Sequence, residues 1–295
     1  MAEVRAVDIV CNVQLDDPRT RRPAWSQAFL RQKIGVAEEI VRGLTPEQLL
    51  EKMDRAGVEH ALLPAVKVGP SWHPISRQIP YEVVAELVQR YPTRFSGLAG
   101  IDPTEGIAGL RQLEYAVKEL GFVGAHFYPH WFDLPPNHAR VYPFYAKCCE
   151  LDIPIQLQVG NCLRYSAERP LRSVGRPILL DEVACDFPEL KLVGIHIGWP
   201  WTEEMIAMAY KHPNVYIGSD AYAPRYWDAA LVRFIDSWGQ EKVLFGTDFP
   251  VIDPERALRE IGELPFRPAA RRKFLRNNAI RLYRLPLALA EETEE

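Results

Sequence analysis

Eight short apolar runs rich in β-branched residues, separated by helical patterns along 295 residues, predict a (β/α)8 barrel, the TIM-barrel class of α/β fold. The runs lie at 4–13, 60–66, 96–101, 123–128, 155–160, 192–197, 215–219 and 243–247. Strands this continuously apolar suit a parallel sheet buried on both faces. A doubly wound open sheet is the competing topology, but no glycine-rich phosphate loop follows the first run. With 47% hydrophobic residues the chain can bury a large core, and residues 1–295 are read as a single domain.

Each strand is followed by a helical segment. Thr45-Pro46-Glu47-Gln48 opens the first with an N-cap residue, a proline in the first turn and an acidic start. Helical patterns follow at 80–91, 106–120, 142–151, 179–187, 203–211 and 226–238. A last one, 268–283, places Arg271, Arg272, Lys273 and Arg276 on a face expected to be solvated, and 284–295 is a tail with an acidic, frayed end.

Three stretches fall outside the repeat. Residues 14–43 read as a long loop or small helical insertion, 69–80 carries Trp72 and His73, and 129–143 carries His130, Trp131 and His138. Each follows the C-terminal end of a strand, where barrels of this class build their active sites. Loops this aromatic suit either a lid over a small organic substrate or an oligomer interface.

Composition narrows the function classes. A net charge of −4 gives no electrostatic case for nucleic acid or an anionic membrane surface. No apolar run approaches the roughly 20 residues of a membrane span, and the start lacks the layout of a signal peptide. Five cysteines without zinc-finger spacing read as reduced thiols, which points to a cytoplasmic protein.

Two strands deliver ionisable groups to the barrel mouth. The run 243–247 ends in Asp248 where a turn begins, and 192–197 carries His196 among glycines. An aspartate and a histidine so placed can exchange protons with a bound substrate. Asp248 could also simply cap the turn before Pro250. His126 on the fourth strand and Asp220 at the end of the seventh are further pocket candidates. Trp199 and Tyr222 sit where a cyclic substrate would stack. Arg164, after the fifth strand, is a candidate for holding a substrate carboxylate, with a solvated loop charge as the alternative. Lys67 has the same standing.

The segment Gly194-Ile195-His196-Ile197-Gly198-Trp199-Pro200-Trp201, then Phe245-Gly246-Thr247-Asp248-Phe249-Pro250, then Phe274-Leu275-Arg276-Asn277-Asn278-Ala279, resembles the amidohydrolase-2 branch of the amidohydrolase superfamily. The resemblance covers nearly the whole chain and implies a hydrolase or lyase: decarboxylases of aromatic or unsaturated acids, lactonases and hydratases occur in that branch. Several members use zinc or manganese, some lactonases use no metal, and dimers are frequent, which makes a homodimer the implied assembly. The branch's first-strand His-x-His positions are Val10 and Asn12 here, and its fifth-strand histidine is Gln158. The histidine of strand six is matched by His196 and the aspartate of strand eight by Asp248.

A catalytic transition metal needs about three anionic or imidazole ligands. Valine cannot ligate and carboxamides are weak donors, so the expectation is a site without a tightly bound metal. His196 and Asp248 would supply acid–base chemistry, with Asn12, His126 and Gln158 as hydrogen-bonding groups that polarise a carbonyl. The expected substrate is a small cyclic or aromatic carboxylate or lactone. Two alternatives remain: a zinc or other metal site reduced to His126, His196 and Asp248, and an inactive barrel that serves as a binding or scaffold protein.

Overall fold

All eight apolar runs form strands in the computed structural model, which describes residues 4–163 and 165–289. They are β1 (Ala6–Asp8), β2 (Val58–Ala65), β3 (Phe95–Gly100), β4 (Gly124–Phe127), β5 (Ile155–Gln158), β6 (Leu192–Ile195), β7 (Val215–Gly218) and β8 (Val243–Leu244). Neighbours in sequence are neighbours in this eight-stranded sheet, and every ladder within it is parallel.

The ladder stops between β8 and β1, but the seam is bridged just beyond it. Ile9 N donates to Phe245 O at 3.0 Å, Asn12 N donates to Phe249 O at 3.0 Å, and Cys11 forms an isolated parallel bridge with Phe249. The strands are shorter than the apolar runs because the chain leaves extended geometry at their C-terminal ends. At β1 the Asp8 carboxylate accepts Val10 N, and after β6 and β8 the backbone turns left-handed at His196 and Asp248.

Alternation along the strands splits the core in two. Val7, Ile9, Leu62, Leu98, Val193, Ile195 and Leu244 fill one cluster with the terminal helix residues Ile280, Leu282 and Tyr283. Their neighbours Ala61, Leu63, Ala99 and Leu192 face the surrounding helices in a second cluster with Leu49, Met53 and Val84. Within the barrel sits one polar knot. Gln156 Nε2 donates to Ile9 O and to Tyr283 Oη, both at 2.8 Å, while its Oε1 lies 2.9 Å from His126 Nδ1.

The first expected helix forms as Pro46–Ala56 with a complete capping box between Thr45 and Gln48. The expected helix over 226–238 is shorter, Ala229–Ile235, because Asp228 caps Ala230 N and residues Pro224–Tyr226 form a separate turn. The closing helix is interrupted by a π turn over Lys273–Asn277, and its basic face is corrected from solvated to half-buried. There Lys273 pairs with Glu241 and Arg276 with Glu59. Pro254–Gly262 forms an additional helix, capped by Asp253 on Glu255 N and Arg256 N. Its aspartate–proline start was a readable signal.

Residues 14–43 fold into the helical turns Ala24–Ala28, Phe29–Ile34 and Glu38–Arg42. The insertion is pinched at its neck, where Leu44 N donates to Gln14 O and Asp16 N donates to Leu44 O. Gly43 sits there at φ +120°, and a Cβ would approach the backbone of Leu15 and Asp16 to 2.5 Å, so only glycine fits. Among the described residues no helix is long and apolar enough to cross a membrane.

Replacing Gln156 by leucine keeps the volume but strands Ile9 O, Tyr283 Oη and His126 Nδ1 in the barrel. Urea denaturation should show a loss of about 1–3 kcal/mol.

Candidate active site

The ends of β6, β7 and β8 bring three ionisable side chains together. His196 Nε2 lies 3.3 Å from Asp220 Oδ2 and 3.8 Å from Asp248 Oδ2. All three residues sit at or beside a backbone with positive φ, at His196 (+67°), Ala221 (+68°) and Asp248 (+54°). Non-glycine residues adopt that region at a cost that concentrates at functional sites. Asp220 Oδ1 accepts the His196 backbone N–H at 2.9 Å, which ties β7 to the turn after β6.

Burial sets the charge state of this cluster. It pushes His196 down to about 3, so the imidazole is neutral. It also raises Asp220 to about 7, and it raises Asp248 well above the carboxylate range, with Asp220 repelling the charge further. Against this, Asn12 Nδ2 donates to Asp248 Oδ1 at 2.6 Å and favours the ionised form. Gln158 Nε2 lies 3.2 Å from His196 Nδ1, while Gln158 Oε1 and Asp220 Oδ2 are buried without a hydrogen-bond partner among the described residues.

A cavity opens above the cluster and is lined by Asn12, Gln158, His196 and Asp248 at its floor. Its walls are Trp25, Phe29, Tyr128, Trp131 and Tyr165, with two arginines, Arg22 and Arg77. The aromatic wall is built from separate loops: Trp25 and Trp131 rings lie 4.8 Å apart, Trp131 and Tyr165 5.4 Å, Phe29 and Tyr165 4.6 Å. Trp25 Nε1 also donates to Ile75 O. The insertions after β1, β2 and β4 therefore meet one another over the barrel mouth, joined by the loop after β5.

The residues expected from sequence are distributed unevenly. Asn12, Gln158, His196 and Asp248 come together at the cavity floor, and Asp220 completes their cluster from below. His126 lies deeper in the barrel, fully buried against Gln156, with burial pushing it down to about 4. Trp199 and Tyr222 pair with each other, rings 5.4 Å apart, outside the cavity walls. Lys67 is engaged by Glu105 and Gln112. Arg164 lies outside the described residues. Arg22 and Arg77 were not anticipated; they sit in the insertion after β1 and in the ribbon Lys67–Val68/Arg77–Gln78, where sequence alone shows ordinary surface charges.

A family model described as Amidohydrolase matches residues 19–285. The chain belongs to this family. Among its relatives, decarboxylase orsB of Emericella nidulans is 35% identical over 271 residues, covering 73% of this chain and 77% of the relative. Gamma-resorcylate decarboxylase of Rhodococcus jostii is 26% identical over 296 residues, covering 80% and 86%. Among solved structures, the dihydroxybenzoic acid decarboxylase of Polaromonas sp. superposes with a TM-score of 0.68 at 21% identity, covering 97% of this chain and 98% of that one.

That decarboxylase structure holds bound manganese and an inhibitor, 2-nitroresorcinol. The expectation of a site without a metal is corrected by it. The physical error lay in counting lost imidazoles without counting Asp220. Val10 is fully buried and offers no donor, but His196, Asp220 and Asp248 place one ligand atom each within 4.8 Å of one another. One imidazole and two carboxylates suit an oxygen-preferring divalent ion such as manganese.

The unpartnered atoms fit the same ion. A cation would satisfy Asp220 Oδ2, and a half-turn of the Gln158 amide would let Oε1 accept a hydrogen from His196 Nδ1, leaving Nε2 free to ligate. The chain purified with manganese should hold close to one equivalent by elemental analysis. Asp220→Asn, folded by circular dichroism, should retain less than a tenth as much after dialysis.

Proposed function

We propose that this amidohydrolase is a carboxy-lyase that removes CO2 from a hydroxylated aromatic acid. The observation that carries this reading is the position of an aromatic-walled cavity directly over the His196–Asp220–Asp248 cluster. Its named relatives, decarboxylases of dihydroxybenzoates, support it, and a lactone substrate finds no comparable support.

The walls would hold the ring. Trp25, Trp131 and Tyr165 offer flat apolar faces on which an aromatic acid can stack. Their crowding above the floor excludes water and strengthens every electrostatic contact beneath. His196, Asp220 and Asp248 would hold the divalent ion, whose positive charge would bind an anionic oxygen of the substrate.

Asp248 is then the proton donor. Asn12 fixes one of its oxygens, so the carboxyl group is held toward the cavity floor in a single orientation. Its proton passes to the ring carbon that bears the carboxylate. The bond from that carbon to the carboxylate breaks, its electron pair returns to the ring, and CO2 departs. Asp248, left ionised, takes its next proton from solvent.

The test is turnover of gamma-resorcylate and other ortho-hydroxybenzoates by the manganese-loaded chain, read as CO2 release and formation of the phenol. Asp248→Asn should lower kcat by roughly 100- to 10,000-fold with the fold intact. No turnover on any hydroxybenzoate, or an Asp248→Asn variant as fast as the parent, would refute the proposal.

A further inference from the structure

Two guanidinium groups line the cavity, and among the described residues neither forms an ion pair. Arg22 donates to the Gln14 side chain and to Ser26 Oγ, both neutral. Arg77 is 6% exposed and donates to the backbone oxygens of Val13 and Thr20, while its Nε is buried without a partner. The charged and titratable groups that face them are few. Asp248, Tyr128 and Tyr165 act on Arg22, while Arg22 and Tyr128 act on Arg77. Both tyrosines are pushed up by burial and are neutral.

Two like charges, Arg77 buried and Arg22 half-buried, with no acid between them are unfavourable unless something anionic joins them. The floor does not provide it. Even with both Asp220 and Asp248 ionised the floor only offsets the charge of one divalent ion, and with Asp248 carrying its proton it offsets less, so the two arginine charges remain. A substrate with a single carboxylate would leave part of that charge uncompensated in a desolvated pocket. Guanidinium forks also match carboxylate geometry better than they match a hydroxyl.

We infer that Arg22 and Arg77 anchor a second, non-reacting anionic group, so that the substrate is an aromatic dianion such as a benzenedicarboxylate with ring hydroxyls. The inference depends on the carboxy-lyase reading for the reaction, but the anchor itself is a binding property. It makes Arg22 and Arg77 the residues that set substrate class, with the reacting carboxylate at the floor and the second acid toward the insertion.

Calorimetric titration of the manganese-loaded chain with benzoate and with benzene-1,2-, 1,3- and 1,4-dicarboxylate tests it without turnover. At least one dicarboxylate should bind about tenfold or more tightly than benzoate. Arg22→Gln should bring that ratio close to one while changing benzoate affinity less. Arg77→Lys, which keeps the charge but loses the fork, should reduce the ratio in the same direction. The comparison between ligands on the unmodified chain stands whether or not a variant folds. Dicarboxylates that bind no better than benzoate, or a preference that survives both substitutions, would overturn the anchor. A dicarboxylate preference without CO2 release from any hydroxybenzoate would uphold the anchor and dismiss the reaction.

Discussion

The closure of this barrel rests on a buried carboxylate. Asp8, 3% exposed at the end of β1, accepts Val10 N at 3.0 Å, Thr247 N at 3.0 Å and the Thr247 hydroxyl. Among the described residues no ladder joins β8 to β1, so the two bonds from Thr247 to Asp8, with the backbone bonds Ile9–Phe245 and Asn12–Phe249, stand in for the strand pairing that holds the other seven junctions. Burial raises the Asp8 carboxyl to about 7 against the bonds that favour its charge. The seam is therefore held by a group whose desolvation is offset by three donors. Its consequence is positional: Asn12 and Asp248 leave the two sides of that seam and meet at 2.6 Å.

Around that seam the molecule concentrates groups that would be unfavourable alone. Asp220 and Asp248 repel each other across a neutral imidazole, and Arg22 and Arg77 repel each other a short way above. The two sets are complementary in sign, yet the structure keeps them apart, with the cavity between. On the proposed reading, a ligand that carries negative charge and brings or meets a cation would join both sets at once. This is the logic of preorganisation, in which the folded scaffold bears the strain before the ligand arrives. The left-handed backbone at His196, Ala221 and Asp248 belongs to the same pattern, since each turn aims a side chain that extended geometry would send elsewhere.

Much of this was legible in the sequence because it follows from local chemistry. Apolar runs such as 192–197 and 243–247 mark buried parallel strands, and Thr45 with Gln48 marks a helix start. Asn12, Gln158, His196, Asp220 and Asp248 could be found because strand ends in a barrel converge on one mouth. What the sequence hid depends on contacts between distant loops. Arg22 lies in a run of basic residues that looks solvated, and only the docking of the insertion onto Trp131 and Tyr165 turns it into the cavity wall, half-buried. Arg77 lies on a two-residue strand too short to carry a pattern. Trp199 and Tyr222 misled for the opposite reason: they flank the right strands but turn toward each other. The metal expectation failed where ligands were matched by position, since Asp220 offers from β7 an oxygen that no comparison of β1 and β5 could reveal.

The pinched neck of the insertion has a consequence for how such a protein can change. Residues 14–43 leave and rejoin the barrel through adjacent backbone at Leu15 and Leu44, and the segment rests on the mouth by its aromatic face, held further by Arg19 on Glu86 and by Arg77 on Thr20 O. Arg22 travels with it. Remodelling this one appendage would redraw the upper half of the cavity without disturbing a strand, a seam bond or the floor. On the proposed reading, chemistry and selectivity would be carried on separable parts of the chain, and lineages of such barrels could diversify in what they accept while the reaction at the bottom is inherited unchanged.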